Sequence, residues 1–129
     1  RSLMFQVIVI GIGGFLGAIA RYGVSGFVHR YLNGSFPFGT LVVNVLGCLF
    51  IGISMYLNES RQLFSSSTRS FVLIGFLGSF TTFSTYGFET FALLRSGNLR
   101  LACLNMGLNL VFGLAAVIFG WVAVRAISM

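Results

Sequence analysis

Charge is scarce in this chain. Lysine is missing altogether, Glu59 and Glu89 are the only acids, and charged residues fill 8% of 129 positions. Soluble domains carry about 25%. With 57% of the residues hydrophobic, a water-soluble globule of this length would leave much of its apolar stock on its surface, which a bilayer accepts without penalty. His29 is the lone histidine, so there is no Ser/His/Asp or metal-ligand constellation and enzyme chemistry of those kinds is excluded. Beside Arg30 it reads as an interfacial residue. Cys48 and Cys103 lie in or beside apolar runs without a CxxC or a nearby histidine, and they fix no redox compartment. No GxxxxGK[ST] motif occurs, which argues against coupling to a nucleotide.

The net charge of +6 comes from arginines alone, at Arg1, Arg21, Arg30, Arg61, Arg69, Arg95, Arg100 and Arg125. They form no basic cluster with interleaved aromatics, so nucleic acid is not an expected partner. They stand mostly where apolar runs stop, as membrane proteins anchor helix ends in lipid.

Four apolar runs predict an all-α membrane protein, one domain over 1–129, with helices at about 3–28, 40–57, 71–94 and 101–127. The first run is too long for a signal-peptide h-region and has no clear small-residue cleavage site before Arg21, so it reads as a retained helix. Gly13, Gly17 and Arg21 are four apart and share a face open to close approach by another backbone. Arg21 either serves that face or snorkels to the interface. The only proline, Pro37, punctuates the turn into the second helix. There Asn44, Cys48 and Gly52 follow at intervals of four, and Asn44 reads most simply as interhelical glue. Asn105 and Asn109 form a polar stripe on the fourth helix, either bonding a neighbour or lining a wet path. Residues 58–70 are polar and form an aqueous loop between two helix pairs.

With four spans the termini and the central loop share one side. Arg1, Arg61, Arg69 and Arg125 then face Arg21, Arg30, Arg95 and Arg100, four against four. Orientation follows imbalance in these charges, so a balanced chain inserts both ways up. This predicts an antiparallel, dual-topology homodimer with its twofold axis in the membrane plane.

The third helix is the unusual one. Between Gly75 and Tyr86 the hydroxyls of Ser79, Thr81, Thr82, Ser84 and Thr85 crowd around Gly75 and Gly78. Glycine permits non-helical backbone, and Ser and Thr offer it alternative hydrogen bonds, so a break is expected at Gly78 to Thr82, at mid-depth in the membrane. Unpaired backbone groups at that depth are tolerated only where they meet protein, water or ions. The first half-helix would offer carbonyls to a cation, and the second would offer amides and a positive dipole to an anion. Thr82, Thr85 and Glu89 fall on one stripe of the second half, and Phe83 and Tyr86 on the next. Glu89, the only acid within a span, is a functional residue or a structural partner of a threonine or arginine.

The stretch from Gly75 to Glu89, GFLGSFTTFSTYGFE, resembles the signature of the Fluc (CrcB-type) fluoride channels, Gly-x-x-Gly-Gly-x-Thr/Ser-Thr-Phe-Ser-Thr-Phe followed by Glu. Arg21 at the end of helix 1 and Gly39-Thr-Leu-Val-Val-Asn44 opening helix 2 extend the resemblance over nearly the whole chain. It implies a fluoride-selective channel of two antiparallel subunits, with two pores and a central structural sodium ion, in a bacterial-type inner membrane. By residue, it implies sodium on the carbonyls of Gly78 and Thr81, and ring edges of Phe83 and Tyr86 for fluoride. Asn44 would be a pore donor, Ser84 and Thr85 a hydroxyl track, Glu89 a pore-adjacent acid and Arg21 a vestibule arginine. Asn109 stands where relatives often carry a small hydroxyl and would continue the track. Ser79 departs from the family's second glycine, and Tyr86 from the second phenylalanine of its aromatic pair.

That chemistry suits the ion. Fluoride is small and strongly hydrated, and positive ring edges with hydroxyl and amide donors can replace its shell. A narrow row of weak sites passes it without trapping it. A small proton-coupled multidrug or cation exporter, also of four spans and dual topology, is the alternative. Its essential acid lies in the first helix, where this chain has none.

Overall fold

The computed structural model describes residues 2–129, so Arg1 and its part in the charge tally lie outside the described residues. The described chain is helical with no strand. Helix α1 (Leu3–Tyr31) is capped by Ser2, whose Oγ accepts from Phe5 N at 3.2 Å. Helix α2 (Phe38–Glu59) starts directly behind Pro37. The third span opens with α3 (Ser66–Arg69), capped by Ser65, and winds on through a π-helical segment, Ser70–Leu77, into α4 (Gly78–Phe80). Two extended residues follow before α5 (Phe83–Arg95), and α6 (Leu99–Ser128) completes the chain behind its Asn98 cap. Four stretches are long and apolar enough to cross a membrane: Leu3–Tyr31, Phe38–Glu59, Ser66–Arg95 and Leu99–Ser128. The shortest, at about 1.5 Å per residue, reaches about 33 Å, enough for a hydrocarbon core of about 30 Å.

These helices outrun the apolar stretches read from sequence, by five residues at the start of the third. Hydropathy marks where lipid-compatible side chains stop, whereas a helix stops where its end amides find an acceptor. Ser2, Ser65 and Asn98 supply those acceptors outside the apolar runs.

Two seams of backbone contact hold the bundle. Along the first, α1 packs on the π-helical segment. A methyl group added to Gly13 would come within 2.6 Å of the Phe71 carbonyl, one on Gly75 within 2.7 Å of the Ile10 carbonyl, and one on Gly17 would collide with the Phe76 carbonyl. Along the second, α2 packs on α6, where Gly52 faces the Val117 carbonyl and Gly120 the Leu49 carbonyl. Lipid tails are as apolar as leucine, so it is this close packing that associates helices in a bilayer. Few large side chains are buried. Leu, Ile and Phe point outward along the first, third and fourth spans, and Phe50 does on the second, where only lipid or another subunit can cover them.

The chain ends sort as a four-span weave requires. Arg61 Nη1 donates to Ser128 O at 3.2 Å and Gln6 Nε2 to Ser66 Oγ at 3.4 Å, which gathers the start of α1, the central loop and the C-terminus at one end. His29, Pro37 and Ser96 line one cavity at the other. Between these ends the third span changes partner. Its first half lies against α1, whereas α5 lies against α6.

Candidate functional site

That change of partner happens at two residues. Thr81 (φ −85°, ψ 158°) and Thr82 (φ −146°, ψ 115°) are extended, which interrupts the helical ladder near the middle of the Ser66–Arg95 run. Hydroxyls and one carboxamide take over its hydrogen bonds. Leu77 O accepts from Thr81 N at 3.3 Å and from Thr81 Oγ1 at 3.2 Å. Thr82 caps α5, its Oγ1 accepting from Thr85 N at 3.2 Å while lying 3.0 Å from Thr85 Oγ1. From α2, Asn44 grips the free peptide groups of Thr82 on both sides. Its Oδ1 accepts from Thr82 N at 2.8 Å, and its Nδ2 donates to Thr82 O at 3.2 Å. Arg21 reaches the break as well, donating from Nε to Ser79 O at 3.0 Å. Thr81, outside any helix, keeps a carbonyl oxygen that receives no hydrogen bond among the described residues.

The polar side chains of α6 join this clamp. Asn44 Nδ2 also donates to Asn109 Oδ1 at 2.9 Å, so both hydrogens of the Asn44 amide are engaged. Asn109 Nδ2 donates to Asn105 O at 2.9 Å and to Asn105 Oδ1 at 3.0 Å. Asn105 is fully buried and donates to Thr90 Oγ1 at 2.9 Å.

Two cavities meet at Thr82. The larger, about 870 Å³, opens between the C-terminal half of α1, the start of α2 and the start of α5. Arg21, His29 and Arg30 line it together with Thr40, Thr82 and Thr85, and no acid does. The amino end of α5 adds its positive dipole, so this vestibule favours anions. The smaller, about 290 Å³, is a groove between α2, α5 and α6 lined by Asn44, Thr82, Phe83, Tyr86 and Asn109, among others. The rings of Phe83 and Tyr86 are 5.6 Å apart between centroids and tilted by 47°, with the Tyr86 hydroxyl donating to Met106 O at 3.4 Å.

Four of the residues expected to line a pore, Asn44, Phe83, Tyr86 and Asn109, thus share the groove, while Arg21 and Thr85 share the vestibule. Others stand apart. Glu89 lines a third cavity with His29 and Ser96, makes no ion pair with an arginine among the described residues, and has a buried Oε1 without a hydrogen-bond partner. Ser84 is exposed and lines neither the groove nor the vestibule. Gly78 lines a small cavity against Gly47 and Cys48, which Thr81 shares while also lining the groove. Two residues of the site carried no expectation, Thr40 in the vestibule wall and Thr90, while Asn105 of the expected polar stripe is buried and bonds a neighbouring helix.

Taken together, four spans, a hydroxyl-rich helix interruption and a basic vestibule over a buried carboxamide define a membrane protein built to handle a small anion. Residues 8–121 match the family described as "CrcB-like protein, Camphor Resistance (CrcB)", and the chain belongs to that family. Among its relatives is the "Fluoride-specific ion channel FluC 1" of Methanosarcina acetivorans, 47% identical over 118 residues that cover 91% of this chain and 88% of that protein. The "Fluoride-specific ion channel FluC" of Hydrogenovibrio crunogenus is 46% identical, covering 91% and 89%. That of Clostridium novyi is 43% identical, covering 91% of each.

Proposed function

We propose that this chain is a fluoride-specific ion channel, a transport protein rather than an enzyme, which lets fluoride leave the cell down its gradient. One observation carries the reading: at the interrupted third span, amide, hydroxyl and ring-edge groups line a groove that adjoins a vestibule with two arginines and no acid. Fluoride gives up its water only where donors replace it, and these are such donors. Of the two hydrogens on Asn44 Nδ2, the one on the 3.2 Å bond to Thr82 O is held less closely than the one on the 2.9 Å bond to Asn109. An anion in the groove takes the former.

The working unit is an antiparallel homodimer in the cell membrane, each pore finished by the second subunit, with the interruption at mid-depth in the bilayer. Phe83, 82% exposed, and the exposed Ser84 support this. An aromatic and a hydroxyl proposed for the ion's path lie largely uncovered within one chain, although the Phe83 ring meets that of Tyr86. A structural sodium ion between the subunits would be held by the carbonyls of Gly78 and Thr81. Those oxygens fit it, since that of Thr81 lacks a donor of its own and Gly78 lies on the exposed surface. Sodium there would neutralise carbonyl dipoles that lipid cannot. The exporter alternative requires an acid in α1, and α1 contains none.

The test is ion release from liposomes carrying the purified protein. Rapid fluoride release with little chloride release is expected. Equal release of both ions, or of neither, defeats the reading.

A further inference from the structure

Five hydrogen bonds leave the backbone at Thr82 and rejoin it at Tyr86. Thr82 N donates to Asn44 Oδ1 (2.8 Å), Asn44 Nδ2 to Asn109 Oδ1 (2.9 Å) and Asn109 Nδ2 to Asn105 Oδ1 (3.0 Å). Asn105 Nδ2 then donates to Thr90 Oγ1 (2.9 Å), and Thr90 Oγ1 to Tyr86 O (2.8 Å). Every donor points the same way around this path.

The Thr82 end has no chemical choice, because a backbone N–H can only donate, whereas the hydroxyl at the Thr90 end can give or take a proton. Thr90 gives its proton to Tyr86 O, so its oxygen is left to accept. Asn105 then turns its NH2 toward Thr90 and its Oδ1 toward Asn109, whose NH2 is held as well by the backbone Asn105 O (2.9 Å), and Asn109 Oδ1 is left to accept from Asn44. Reversing Asn109 would set NH2 against NH2 and oxygen against oxygen, and reversing Asn44 would set its NH2 against Thr82 N–H. Bonds aligned head to tail also polarise one another, so the row resists reversal as a unit. A threonine inside a helix commonly bonds the carbonyl one turn back. What is uncommon here is that the same oxygen takes a proton from a side chain that is 0% exposed.

We infer that Thr90 and Asn105 are positioning residues for the ion path. Through Asn109 they reinforce the facing of the Asn44 carboxamide that Thr82 N–H sets, so that one of its hydrogens is held by Asn109 while the other lies on Thr82 O beside the groove, where an anion can take it. Neither lines the groove or the vestibule, so they act only through Asn109 and Asn44. This rests on the reading of the chain as a fluoride channel, with Asn44 as the donor.

The test compares Thr90→Val, which keeps the shape and removes the hydroxyl, with Thr90→Ser, which keeps the hydroxyl. Two quantities are read on protein recovered folded by gel filtration. One is fluoride efflux per protein. The other is the side-chain amide resonance of Asn44 in 15N-labelled protein, which reports the coupling without any transport. Efflux is expected to fall at least tenfold in Thr90→Val and to stay within about twofold of the parent in Thr90→Ser, with the Asn44 resonance displaced in the first only. Parent-like efflux in Thr90→Val, an unmoved Asn44 resonance, or an equal loss in Thr90→Ser overturns the inference. Thr90→Ala, which only removes atoms, carries the same expectations if Thr90→Val does not yield folded protein. A parent protein that releases no fluoride would sink the channel reading instead, and the Asn44 resonance would still decide whether Thr90 sets the carboxamide.

Discussion

Replacing Asn44 by leucine, nearly its equal in shape, separates the clamp's chemistry from its volume. The variant removes three hydrogen bonds, to Thr82 N, Thr82 O and Asn109 Oδ1. Thr82 N–H and Asn109 Oδ1 are then left without partners. Each such group costs about 1–3 kcal/mol. Water in the adjoining groove of about 290 Å³ relieves part of that, which leaves roughly 2–4 kcal/mol of lost stability. The same change takes a donor from the ion path and frees the peptide groups that shape it. If about 2–3 kcal/mol of this falls on the barrier to passage, fluoride flux drops about 30- to 150-fold, since each 1.36 kcal/mol is a factor of ten. Initial efflux from liposomes diluted to one protein per vesicle, read with a fluoride electrode, measures that loss. The melting temperature in detergent measures the loss of stability. Folded Asn44→Leu protein that conducts within threefold of the parent would refute the argument.

Other expectations follow from the same geometry. Phe83→Ile should abolish fluoride flux yet leave the protein folded, because the ring is 82% exposed within the chain and supports no core; unchanged efflux would remove the aromatic part of the path. Gly17→Ala sets a methyl group against the Phe76 carbonyl and should destabilise the first seam by about 1–3 kcal/mol. Gly11→Ala, with nothing within 4 Å of the new carbon, should not, and equal melting temperatures for the two would show that the seam is looser than described. Exchanging sodium for a bulky organic cation should lower flux or stability, and parent-like behaviour on both counts would eliminate the sodium site at Gly78 and Thr81.

The spans were legible because lipid demands long apolar runs, whatever the details of packing. The interruption was legible from chemistry that is local in sequence, since Thr81 and Thr82 carry the hydroxyls that replace its ladder, but it is narrower than expected, because Gly75 and Gly78 stay helical. The π winding of Ser70–Leu77 was not, as hydroxyl and glycine content does not separate one helical pitch from another. Residues that act across elements were only half visible. Asn44 read as interhelical glue, and it does bond two neighbours, but that one of them is the broken backbone of Thr82 depends on how α2 meets α5. Asn105 and Asn109 looked equivalent at a spacing of four, yet Asn105 is sealed behind Thr90 and Asn109 faces the groove. Arg21 had two readings from spacing, and its contact with Ser79 O favours the helix face over the interface. Phe83 and Ser84 are the opposite case, recognised from sequence similarity while a single chain leaves them facing outward.

A density map of the protein in lipid with fluoride present tests the central claim most directly. The account predicts two subunits of opposite orientation, extended backbone at Thr81 and Thr82 level with the centre of the bilayer, and anion density beside Asn44 and the Phe83 ring edge. A continuous helix through those threonines, or an Asn44 with no ion near it and Phe83 lying against lipid, would contradict it.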